Sequence, residues 1–136
     1  MNYKQIIISS IVLLTLDFFY LYNTKNIFNK QIFDIQNTEP KINFVAMILC
    51  YLLLIFGLNY FIINEQKSLS YACILGLFVY GVYELTNMAI LQKWTYKSVL
   101  IDTLWGGLLF SLTTFITYKF INNIDYTNIH PASINI

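Results

Sequence analysis

Arginine is absent from this chain, and all eight basic residues are lysines. With it goes the planar guanidinium that commonly grips phosphate or carboxylate in a bidentate way. The net charge of +1 leaves no basic surface suited to a nucleic acid. Charge of either sign is scarce, at 11% of residues, against roughly 25% in an ordinary soluble domain. The one histidine, His130, stands beside Pro131 with no orienting partner in reach by sequence, so it reads as solvated. The two cysteines, Cys50 and Cys73, fall in apolar stretches without C-x-x-C spacing or a nearby His. They read as small buried hydrophobes and not as a disulfide or metal pair. No Gly-x-Ser-x-Gly, Gly-rich phosphate loop or His-rich ligand set occurs, which counts against the common hydrolytic, nucleotide and metalloenzyme chemistries.

What is abundant is apolar: 57% of the 136 residues are hydrophobic, which points to a membrane protein. Four runs, at about residues 6–22, 42–63, 69–91 and 98–121, approach the ~20 residues that a helix needs to cross a bilayer. The fold expected is an all-α, four-helix transmembrane bundle with antiparallel neighbours, forming a single domain. Lys4 precedes the first run but no small-residue cleavage site follows it, so that run reads as a retained helix. The aromatics Phe18, Phe19, Tyr20 and Tyr22 at its end suit a membrane interface, as do Trp94 and Tyr96 between the third and fourth runs. Residues 25–36 carry Ile27, Phe28, Ile32 and Ile35 near helical spacing, among Lys25, Lys30 and Asp34. This segment reads equally as an interfacial helix or as a loop. Pro40 ends it, and residues 122–136 read as a polar, frayed tail.

Short connections after the second and third runs require antiparallel pairs. Small residues, Ala72, Gly76 and Gly81 on the third run and Gly107 and Ser111 on the fourth, mark expected close contacts between helices. Lys4, Lys67 and Lys119 flank one membrane side, while Lys25, Lys30, Lys41, Lys93 and Lys97 flank the other. The positive-inside rule then puts both termini on the non-cytoplasmic side.

Three acids interrupt the runs: Asp17, Glu84 and Asp102. Intramembrane acids are costly and commonly face an interior or a water-filled cavity. Asp17 stands five residues before Tyr22, Glu84 seven before Leu91 and Asp102 four after Ser98. At ~1.5 Å per residue, all three lie roughly 6 to 11 Å below one membrane surface. Helical spacing sets Tyr80 and Asn87 on the stripe of Glu84, and Trp105 near Asp102. Tyr83, Asn87, Tyr51 and Tyr80 are candidate partners for the carboxyl groups. Acids packed together in low dielectric must hold protons, or be compensated by a cation or by water.

Three readings follow. The acids bind or conduct a cation or protons, with Tyr83 and Asn87 in support. Alternatively they are struts that lock a structural or partner-binding bundle, with no transport or catalysis. The third reading, an acid–base enzyme, finds no supporting chemistry. No cofactor is indicated beyond a bound cation. Three carboxylates with tyrosine or amide oxygens would suit a hard ion such as Mg²⁺, Ca²⁺ or Mn²⁺. The expected partners are the lipid bilayer and either a second copy of the chain or another membrane protein.

The stretches Leu16-Asp17-Phe18-Phe19-Tyr20-Leu21, Tyr83-Glu84-Leu85-Thr86-Asn87 and Asp102-Thr103-Leu104-Trp105-Gly106 together resemble the domain of unknown function 2177 family of small membrane proteins. The resemblance covers about residues 6–121 and implies four spans. It implies no activity that can be carried over. Two departures stand out. The family favours Asp where Glu84 stands, and Trp-Leu-Gly after the first acid where this chain has Tyr20-Leu21-Tyr22.

Overall fold

Side chains at the helix ends decide where each helix starts and stops. In the computed structural model, which describes residues 1–129, Asn2 caps α1 (Tyr3–Gln36) by accepting from the Lys4 amide at 3.0 Å. Asn37 closes it in the left-handed region, φ 56°, with its N–H on the Phe33 carbonyl at 2.8 Å. Asn43 caps α2 (Phe44–Leu58) through the Ala46 amide at 3.1 Å. α2 then continues into a π-helical turn, Asn59–Ile63. α3 spans Leu69–Ile90 and α4 spans Tyr96–Ile129. All four carry stretches long and apolar enough to cross a membrane, and the described residues contain no strand. His130 and the rest of the tail lie outside the described residues.

Two boundaries differ from the sequence reading. Residues 25–36 are neither a loop nor a separate interfacial helix; they are the continuation of α1. Nothing between Tyr22 and Gln36 breaks a helix, because no Gly or Pro occurs there. Asn23 and Thr24 return their side-chain donors to the Phe19 and Tyr20 carbonyls at 2.7 and 2.8 Å. At ~1.5 Å per residue α1 is about 50 Å long, so its polar half extends beyond a ~30 Å hydrocarbon layer. α4 likewise runs on to Ile129, past the expected end of its span.

The bundle is unevenly packed. α3 and α4 form its most intimate pair, and α1 lies along α4. At the α3–α4 crossing Gly76 meets the backbone of Gly106, and Gly106 meets the ring of Tyr80, so neither has room for a Cβ. The apolar core, with Leu13, Leu58, Ile63, Leu109 and Phe110, collects at the end where the π-helical turn docks. There Asn59 donates to Ser9 Oγ at 2.8 Å, and Tyr118 donates to the Lys67 carbonyl at 2.9 Å. Toward its start α2 leaves the others, and α2 and α3 barely touch along their length. Leu53 on α2 is 71% exposed, an apolar surface suited to lipid. Cys50, expected to be buried, is exposed for the same reason, whereas Cys73 is half-buried against α4.

Candidate functional site

Where α2 diverges, the helices surround a half-open cavity of about 550 Å³, and Asp17, Glu84 and Asp102 all line it. Each acid comes from a different helix, and each is buried, at 5%, 1% and 9% exposure respectively. Much of the remaining wall is apolar, with Leu21, Phe28, Ile32, Met47 and Leu54 among its residues.

Helical spacing builds the polar part. Tyr20 follows Asp17 by three residues on α1, and Trp105 follows Asp102 by three on α4, so each pair shares a helix face. Across the bundle the pairs interlock. Trp105 donates its indole N–H to Asp17 Oδ1 at 2.9 Å, and Tyr20 donates its hydroxyl to Asp102 Oδ1 at 2.8 Å. The Tyr20 and Trp105 rings stack at 4.5 Å, 6° from parallel. Tyr51 of α2 donates to Asp17 Oδ2 at 2.6 Å. Both Asp17 oxygens are therefore engaged. Trp94, in the loop before α4, donates to Glu84 Oε2 at 2.8 Å.

The α1 extension fixes that loop. Gln31 Oε1 accepts from the Thr95 amide, the Thr95 hydroxyl and the Ser98 hydroxyl at 3.1, 2.9 and 2.8 Å. Lys93, at φ 68°, donates to the Asp34 carbonyl at 2.8 Å. The loop so held directs Trp94 onto Glu84.

The remaining acceptors are the informative ones. Glu84 and Asp102 line the same cavity and are both buried. Their second oxygens, Oε1 and Oδ2, accept from no donor among the described residues. Several lysines are engaged elsewhere: Lys93 on α1, and Lys25, Lys67 and Lys119 over the rings of Tyr22, Tyr71 and Phe115. Two carboxylates buried on one cavity wall in low dielectric call for a proton or a cation to compensate their charge. Among the described residues no three His, Cys, Asp or Glu side chains converge as a metal-ligand group.

Of the sequence-derived candidates, the cavity gathers Asp17, Glu84, Asp102, Tyr51, Tyr80 and Tyr83, the last on its outer, exposed side. Trp105 reaches Asp17 from behind. Asn87 does not line the cavity. Tyr20 and Trp94, which the sequence presents as interfacial aromatics, belong to the site instead. The i, i+3 spacing from Asp17 is a signal that exposes Tyr20, whereas Trp94 sits in a loop where no periodicity reports its direction. Gln31 escapes sequence reasoning for the same reason as the α1 extension.

A family model described as a predicted membrane protein, DUF2177, matches residues 2–119. No curated protein and no solved structure matches the chain.

Proposed function

The chain belongs to the DUF2177 family of predicted membrane proteins, and we propose that it binds a cation or protons at the Glu84–Asp102 pair within the membrane. The observation that carries this reading is a pair of buried acids lining one cavity, each with a carboxyl oxygen that accepts from no donor among the described residues. The structural alternative draws support from one acid only. Asp17 has both oxygens engaged by Tyr51 and Trp105, so it serves as a strut that ties α1 to α2 and α4. Tyr20 and Trp94 orient the functional pair; Tyr83 and Tyr80 form the adjoining wall. Lysine distribution supports an orientation with both termini on the non-cytoplasmic side and the acid layer nearer the cytoplasm.

Infrared difference spectroscopy tests the pair directly. Wild-type protein in lipid should show a carboxyl band that responds to pH or to added cation, and Glu84→Gln should lose it. A wild-type spectrum without any such band would overturn the reading.

A further inference from the structure

We infer that the ligand of this site is an organic cation with an apolar body, entering from the lipid between α2 and α3 and resting its charge against Glu84 and Asp102. The inference deepens the cation-or-proton reading above and rests on it.

Four observations select this class. First, the volume, about 550 Å³, falls in the range of roughly 300–1,000 Å³ that takes drug-sized molecules and far exceeds what a bare ion fills. Second, the walls are apolar and aromatic except at the acids. Leu54, Met47 and Ile32 supply aliphatic surface, while Tyr20, Tyr51 and Tyr80 supply rings, which attract organic cations through their faces. Third, the free acceptors are too few for a hard metal ion. Asp17 is fully engaged, leaving one unanswered oxygen each on Glu84 and Asp102. Ca²⁺ takes about six to eight oxygens and Mg²⁺ a near-octahedral set. A single positive charge on a bulky body needs only the two. Glu84 and Asp102 are at least nine-tenths buried and line the cavity, so their open acceptors face the space a ligand would occupy. Fourth, the route exists. Leu53 of α2 and Tyr83 of α3 both line the cavity, and both are strongly exposed where their helices diverge. In a bilayer that gap opens onto acyl chains, the phase in which an apolar cation accumulates.

The chain carries its own reporter. Cys50 lines the cavity and is exposed, while Cys73 sits against α4. The probe is tetraphenylphosphonium, whose charge does not titrate; triphenylphosphine oxide is the neutral control of similar body. Full-length protein in lipid nanodiscs is exposed to a membrane-permeable thiol reagent, and labelling of Cys50 is read by mass spectrometry. Binding of radiolabelled probe is measured in parallel. Expected are saturable binding of one tetraphenylphosphonium per chain, protection of Cys50, and roughly tenfold or greater weakening in both Glu84→Gln and Asp102→Asn, as for loss of a desolvated charge partner. Triphenylphosphine oxide should compete at least about tenfold less well.

Since an acid variant can fail to fold, Cys50→Phe provides an independent check. It adds bulk to the cavity wall without removing a carboxyl group and should abolish probe binding while the responsive carboxyl band of wild type persists. Equal competition by the neutral compound would overturn the inference, because the cavity would then be selecting body and not charge. Absence of probe binding with the carboxyl band intact would also overturn it, leaving the pair as a proton or inorganic-ion site. Loss of both signals in correctly folded wild type would remove the underlying reading as well.

Discussion

A carboxyl group inside an apolar helix must be answered by donors, protons or cations, and the three acids here differ in how completely the protein answers them. Asp17 is fully answered by Tyr51 and Trp105. Asp17→Ala leaves two inward donors without an acceptor and should cost about 1–3 kcal/mol, read as a lowered unfolding midpoint in detergent. Asp17→Asn keeps one acceptor oxygen and should cost less. Glu84 and Asp102 are only half answered, so their isosteric amides should change ligand response more than stability. That these acids turn away from lipid is legible in the sequence, because a charge at that depth is costly when exposed to acyl chains. Which of them are satisfied is not legible, since a hydrogen-bond donor such as Trp94 reaches Glu84 from a loop whose direction depends on α1.

Between elements, the decisive contacts are the glycine crossing and the clamp on the α3–α4 loop. Gly76→Ala drives a methyl into the Gly106 backbone, which cannot move without parting the helices. It should destabilise by about 1–3 kcal/mol or more. Gly57→Ala meets nothing within 4 Å and should be neutral or stabilising by up to ~1 kcal/mol through helix propensity; thermal unfolding of the two variants side by side checks the contrast. Gln31→Leu strips the acceptor from Thr95 and Ser98. Faster amide hydrogen exchange over residues 93–98 should report the loosened loop. The spacing of small residues is enough to foresee the α3–α4 contact: Gly76 meets both Gly106 and Gly107, and Gly107 packs closely on Leu77 and Cys73. The unbroken α1 is not legible in the same way. Its polar half lacks a strong amphipathic pattern, and what holds it is a tertiary contact through Gln31.

For the whole molecule, uneven packing is the central property: a dense end where the π-helical turn docks, and an end where α2 stands away and a cavity opens between four helices. The four spans and the shared depth of the acids follow from run lengths and alternating direction. The divergence of α2 does not, because an all-apolar helix reads alike whether it meets protein or lipid. Topology has its own test. With Cys50 and Cys73 replaced by Ala, Lys4→Cys should react with an impermeant maleimide on intact cells and Lys97→Cys should not. The opposite pattern would invert the orientation. The most direct measurement of the central claim is thermal unfolding of wild type and Glu84→Gln in detergent, across pH, inorganic cations and tetraphenylphosphonium. The expected result is a saturable, ligand-specific rise in melting temperature for wild type, as binding to the folded state requires, and its loss in Glu84→Gln. Superimposable profiles for the two proteins under every condition would contradict a ligand site at Glu84 and Asp102.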